Sequence, residues 1–169
     1  MRRSFTVVLL AATLTGCGIG GTDRIGVSRG GSSGILIHYV PCPGEVVTRL
    51  AILGNTGGIS YSGGNDQPGG DPDDDEYIIW QAASSGSTDT VFDTGRAPPG
   101  FVEEIPLTVP LAEEGELAVF VGSRSDGLQG VQIGIDLDDL RPGRIVSNLS
   151  SDPLGRASFE RMARETCEG

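Results

Sequence analysis

The residues best suited to chemistry are carboxylates gathered between two glycine-rich stretches. Residues 63–76 read GGNDQPGGDPDDDE, and five acids fall between Asp71 and Glu76. Ca²⁺ prefers oxygen ligands, so residues 66–76 form a candidate calcium-binding loop. The 12-residue EF-hand spacing does not fit, because Glu76 and Ala82 stand where that loop needs Gly and Glu. The alternative is a solvated loop whose like charges repel one another.

A second candidate is an Asp-Thr-Gly triplet that follows two hydrophobic residues, at residues 91–95. This pattern resembles the motif of the aspartic peptidases. The resemblance implies a carboxylate dyad that shares one proton, with Asp93 supplying one of its two members. The triplet occurs once, so the active enzyme would have to be a homodimer. Arg96 stands where the family prefers Ser or Ala, and the alternative is a strand that ends in a turn.

Other catalytic side chains are scarce in this sequence. The 12 basic residues are all arginines, so lysine-based nucleophiles and P-loop lysines are excluded. His38 is the only histidine and shares its parity with Leu36 and Val40 in an apolar run, which favours a structural role. Trp80 is predicted to lie in the core. We therefore predict no catalytic residue, no cofactor and no enzymatic activity.

Charge and length limit the partners and the number of domains. The chain has 169 residues and a formal net charge of −11, so a nucleic-acid partner is excluded because phosphate binding needs clustered cations. Glycine and proline contribute 27 and 10 residues, a turn-rich composition that favours β structure. The length predicts one domain.

The N-terminus carries the most specific pattern. Two arginines precede a ten-residue apolar run (5–14), which is too short to span a bilayer and is typical of a secretory signal. Residues 14–17 read Leu-Thr-Gly-Cys and resemble the lipobox of bacterial lipoproteins. That resemblance implies a signal peptide over residues 1–16 and lipidation of Cys17 with acyl chains such as palmitate. It also implies a protein anchored at the extracytoplasmic face of the cell membrane. The acidic, arginine-only composition resembles that of small actinobacterial secreted lipoproteins.

The elements that must position these groups follow from periodicity. Residues 17–34 are rich in Gly and Ser and predict a flexible tether. From residue 35 to 169, short runs with period two predict an antiparallel β-sandwich, immunoglobulin-like or jelly-roll-like, of about seven or eight strands. Pro106 and Pro110 share a parity, so Glu104–Leu111 should lie at a sheet edge or a gap in pairing. Residues 157–166 predict a short C-terminal helix.

The cysteines add one constraint. If Cys17 carries lipid, the remaining pair predicts a Cys42–Cys167 disulfide, which an exported location would preserve. The order Cys42, Trp80, Cys167 is that of an immunoglobulin domain, but the first interval is too long for that family.

Together these patterns predict a membrane-anchored, extracytoplasmic, non-catalytic module that binds a partner or serves the envelope structurally. Its expected contacts are the membrane, through the lipid on Cys17, and a protein or cell-envelope partner. The alternatives are the homodimeric peptidase that uses Asp93 and the calcium module that uses residues 66–76.

Overall fold

The chain folds as an all-β sandwich with one C-terminal helix. The computed structural model describes residues 24–31, 34–55, 76–108, 110–111, 116–124 and 128–167. In chain order the elements are β1 (Ile25–Arg29), β2 (Ile35–Tyr39), β3 (Val46–Asn55), β4 (Glu76–Ser87), β5 (Val91–Asp93), β6 (Phe101–Ile105), β7 (Glu116–Arg124), β8 (Leu128–Asp136), β9 (Ile145–Ser147), β10 (Ser150–Leu154) and helix α1 (Arg156–Glu165). A 3-10 turn over Leu137–Asp139 follows β8.

The strands form two five-stranded sheets. The first has the order β10-β9-β1-β2-β5, and the second has the order β6-β4-β3-β7-β8. All strand pairs within the two sheets are antiparallel. The predicted sandwich is therefore confirmed, and both sheets contribute an apolar face to the space between them.

Alternation along the strands creates the core. In β1 the side chains of Ile25 and Val27 are fully buried, and in β2 those of Ile35, Ile37 and Tyr39 are as well. They meet the buried face of the second sheet, which includes Leu50, Ile52, Trp80, Leu117, Val119 and Val121. The residues between them in sequence point to the opposite face of each sheet.

Helix α1 covers the outer face of the first sheet. Phe159 and Ala163 are its buried residues, and they pack against Val40 and Ile145. Gly26 of β1 permits this approach, because a Cβ there would lie 2.4 Å from a methyl of Ile145 and 3.0 Å from the ring of Phe159. The predicted helix is thus confirmed, with bounds one residue earlier than expected.

The predicted tether over residues 17–34 is wrong in its C-terminal half. Residues 25–29 form β1, and the folded domain includes residues from Arg24 onward, not from residue 35. The sequence of β1 lacks an obvious strand signal. Gly26 and Ser28, on the side of the strand that faces α1, are small residues that do not mark a buried apolar face. Residues 17–23, 32 and 33 lie outside the described residues.

The described residues form ten strands where seven or eight were expected. The additional ones include β1 and the polar, proline-containing β10. The edge prediction for Glu104–Leu111 is confirmed at its start: β6 is the edge strand of the second sheet and ends at Ile105, before Pro106. No helix among the described residues has the length and apolar content needed to cross a membrane.

Candidate functional site

The first polar cluster of the molecule is a Ser–His pair on the outer face of the first sheet. In the β1–β2 ladder Gly26 lies opposite His38 and Ser28 lies opposite Leu36. The Ser28 Oγ and the His38 Nε2 are 2.8 Å apart. A serine hydroxyl bonded to an imidazole is the pairing that nucleophilic catalysis uses.

Helix α1 encloses this Ser–His pair. Ser28 and His38 are only 3% and 8% exposed, and the ring of Phe159 meets the imidazole edge-on at 6.3 Å. Burial and, to a smaller extent, the positive charge of Arg156 together lower the pKa of His38 to about 4, against an opposing effect of Glu160. The imidazole is therefore neutral at pH 7 and is packed as a core group.

The second cluster surrounds a buried ion pair between Arg24 and Glu45. Arg24 donates from both terminal nitrogens to the carboxylate, and the second of these bonds is 3.2 Å long. Tyr39 Oη and the backbone N–H of Cys42 each donate to Glu45 at 2.8 Å, and Ser123 Oγ donates as well. Every oxygen of this buried carboxylate is therefore satisfied.

The ionisation of Glu45 follows from these bonds. Burial alone would raise its pKa, but the hydrogen bonds from Arg24, Ser123, Cys42 and Tyr39 outweigh burial and lower the pKa to about 2. Burial raises the pKa of Tyr39 to about 12. The cluster consequently holds one anion and one cation with the phenol neutral across the physiological range.

The Arg24–Glu45 cluster also reaches the disulfide. Cys42 and Cys167 are joined, as predicted, with their Cα atoms 5.5 Å apart. Arg24 donates to Cys42 Sγ at 3.1 Å, and its guanidinium lies 5.2 Å from the centroid of the Tyr39 ring. These contacts hold four parts of the chain together at one end of the sandwich: the start of β1, the β2–β3 turn, the end of β7 and the C-terminus of α1.

A shallow groove lies beside the disulfide. It has a volume of about 350 Å³ and is lined by Pro41, Cys42, Pro43, Arg164 and Cys167. Arg164 is the one charged side chain among these lining residues. This chemistry suits an anionic group more than a cation, because a single arginine supplies its charge.

Asp93 occupies the end of an edge strand. It is half-buried in β5, opposite Leu36, and a Cβ on Gly31 would lie 2.1 Å from its Oδ1. The neighbouring Thr94 is fully buried and donates to the Ile35 carbonyl at 3.0 Å, while Gly95 has a φ of 80°. The triplet thus forms a strand end followed by a turn. The dyad of a homodimer needs a carboxylate from a second chain and stays a prediction.

The remaining predicted sites have different outcomes. Trp80 is fully buried, as predicted, and its Nε1 donates to Glu103 at 2.8 Å. Cys17 and residues 66–75 lie outside the described residues, so lipidation and calcium binding stay predictions. Within the residues that the structure does describe, no three metal-ligating side chains come together.

Sequence reasoning missed both polar clusters. The parity of His38 predicts that its side chain is buried, but it does not indicate Ser28 as the partner, because the sequence pattern predicts a tether where β1 lies. Glu45 follows a Pro-Gly turn and carries no pattern that distinguishes it from a surface acid. The one sequence signal for the role of Glu45 is its position, directly before β3 and three residues after the disulfide cysteine Cys42.

Comparison with known proteins adds no family to these observations. No family model, curated protein or solved structure matches the chain.

Proposed function

We propose that the protein is a lipid-anchored, extracytoplasmic, non-catalytic module that binds a partner or serves the envelope structurally. The observation that carries this proposal is the use of the cysteines. The Cys42–Cys167 disulfide occupies two of the three, and Cys17, which follows the apolar N-terminal run, is left for lipid. A structural disulfide is stable in an oxidising compartment outside the cytoplasm.

The enclosed polar groups favour a non-catalytic role. Ser28 and His38 lie beneath α1, and a substrate could not approach the hydroxyl while Phe159 covers the imidazole. The Arg24–Glu45 ion pair is equally buried and fully bonded within the chain. Both clusters therefore hold elements together, and a binding role falls to the outer surface.

The short distance between Cys17 and the fold refines the anchor. Because β1 begins at Ile25, only residues 18–23 separate the lipidated cysteine from Arg24. Two or three acyl chains anchor a protein far more stably than one, since each buried CH₂ contributes about 0.8 kcal/mol. The domain would therefore be held permanently and close to the membrane.

Cys17→Ala tests the anchor. We expect this variant to leave the membrane fraction for the soluble fraction and to lose incorporation of an alkyne-labelled palmitate analogue. The matched control is the Cys42→Ser/Cys167→Ser double variant, which lacks the other two cysteines and should keep the label. Equal palmitate labelling of Cys17→Ala and the wild type would refute the proposal.

A further inference from the structure

The disulfide between Cys42 and Cys167 lies at the surface of a groove. Both cysteines are half-buried, and both line the groove of about 350 Å³ together with Pro41, Pro43 and Arg164. Pockets of roughly this volume admit small organic molecules. A thiol of low molecular weight that entered the groove would therefore contact the two bonded cysteines.

Cys42 is hydrogen-bonded to a buried cation. Arg24 is 5% exposed, and it donates from Nη1 to Cys42 Sγ at 3.1 Å. A neutral sulfur is a weak acceptor, but a bond from a cation to a thiolate is charge-assisted, so this contact strengthens as negative charge develops on Cys42. Glu45 offsets part of the charge of Arg24, and the N–H group directed at the sulfur remains.

Cys167 lies in a different electrostatic environment, just after the end of α1. Its backbone N–H donates to the Arg164 carbonyl at 3.0 Å in the last turn of the helix. The carbonyls at a helix C-terminus carry a partial negative charge, which disfavours an anion there. The preceding side chains of Arg164 and Glu165 are both exposed and opposite in charge. The fold therefore stabilises a thiolate better at Cys42 than at Cys167.

This difference determines which sulfur leaves when the bond is attacked. Thiol–disulfide exchange is faster when the departing sulfur is the more stable thiolate. We propose that the Cys42–Cys167 bond is an exchange site for a low-molecular-weight thiol, which attacks Cys167 Sγ and displaces Cys42 as the thiolate. The proposed exchange needs no lipid on Cys17.

The exchange step conserves atoms and electrons. The small thiol loses its proton to water, and its sulfur forms a bond to Cys167 Sγ. The S–S bond to Cys42 breaks, and its electron pair goes to Cys42 Sγ, which accepts the N–H bond from Arg24. One disulfide replaces another, so no oxidant is consumed. The end of α1 thereby loses its covalent link to the β2–β3 turn, while Phe159 continues to pack on the first sheet.

The position of the adduct tests the proposal in the full-length protein. Free thiols are first blocked with iodoacetamide, and excess 2-mercaptoethanol is added to the native protein. Acid quenching at early times, alkylation of the released thiol with N-ethylmaleimide and peptide mapping then locate both groups. We expect mercaptoethanol on Cys167 and maleimide on Cys42, in several-fold excess over the reverse arrangement. The rate should be proportional to the thiol concentration.

The same reaction in concentrated guanidinium chloride gives the baseline. Unfolding removes both the contact of Arg24 with Cys42 and the helix before Cys167, so the preference for Cys167 should fall roughly three- to tenfold. This comparison uses only the wild type, and it therefore tests the proposal even if a variant of the buried ion pair fails to fold.

Two charge-matched double variants identify the contribution of Arg24. Arg24→Gln/Glu45→Gln removes the donor to the sulfur together with its counter-ion, so no unpaired buried ion remains. The preference for Cys167 should fall roughly three- to tenfold in this variant. Arg156→Gln/Glu160→Gln removes the largely exposed ion pair of α1 and should keep the preference of the wild type. Circular dichroism verifies that both variants are folded.

Several outcomes would overturn the exchange site. They are equal attack on the two cysteines in the native wild type, an unchanged preference after denaturation, and equal effects of the two double variants. A rate independent of thiol concentration would also overturn it, because the bond would then react only after the domain opens. Palmitate labelling of Cys17 is measured separately, so the lipid anchor and the exchange site succeed or fail independently.

Discussion

His38 and Glu45 are buried ionisable side chains, and the fold keeps the first neutral and the second charged. Burial beneath α1 keeps the imidazole of His38 neutral, with a pKa of about 4. The bonds around Glu45 keep its carboxylate charged, with a pKa of about 2 in spite of burial. Both pKa values lie below those of the unfolded chain, so the unfolded state binds more protons and acid destabilises the fold.

The His38 contribution is specific to mildly acidic pH. The unfolded histidine is protonated below about 6.5 and the folded one only below about 4, so the free energy of unfolding falls through that window as pH decreases. Between pH 7 and pH 4.5 the loss should reach about 2.5 kcal/mol. Urea titrations of wild type and His38→Gln at both pH values measure it. The variant should lose this part of the pH dependence. If the free energy of unfolding of the variant depends on pH as strongly as that of the wild type, the loss does not come from His38.

Glu45 should be far more sensitive to substitution than an acid on the surface. Glu45→Gln leaves the Arg24 guanidinium buried without its counter-ion, and the free energy of unfolding should fall by about 3–5 kcal/mol. Glu160→Gln is the matched control, because its ion pair with Arg156 is largely exposed and should contribute less than about 1 kcal/mol. Urea denaturation at pH 7 gives both values, and a similar small loss in the two variants would refute the structural role of the buried pair.

Contact between helix α1 and the first sheet depends on a residue without a side chain. Gly26 lies where β1 passes beneath the helix, with Ile145 and Phe159 closing over it. The helix is also fixed at its C-terminus by the disulfide to Cys42. In the chain-entropy model a bond that closes a separation of 125 residues contributes about 4–5 kcal/mol. Helix α1 is thus held by packing at its middle and by a covalent bond just after its C-terminal end.

Gly26→Ala should separate the packing contribution from the covalent one. Its Cβ would overlap the Ile145 methyl, and such overpacking costs about 1–3 kcal/mol. Gly155→Ser is the control, because Gly155 is the N-cap of α1 and a Cβ there meets nothing within 4 Å. Thermal unfolding of the oxidised proteins should show a lower Tm for Gly26→Ala and at most a small change for Gly155→Ser. Equal Tm values for Gly26→Ala and the wild type would show that the helix can shift.

At the scale of the whole molecule, the sandwich was predictable because period two persists in its long strands. The alternation of Val131, Ile133 and Ile135 identified β8, and the prolines after Ile105 identified an edge. β1 was not predictable, because its outer face consists of Gly26 and Ser28 and contacts a helix that follows more than a hundred residues later. The Ser28–His38 contact was missed with β1, because it joins this strand to the next one, only ten residues away in sequence.

The disulfide has a practical consequence for tagging this protein. The bond holds Cys167 beside Cys42, and Arg24, which directly precedes β1, donates to Cys42 Sγ, so the end of α1 and the start of β1 lie at the same end of the sandwich. A bulky fusion partner joined shortly after Cys167 would therefore crowd the start of β1. An epitope inserted between β3 and β4 would start from the opposite end of both strands, away from the disulfide.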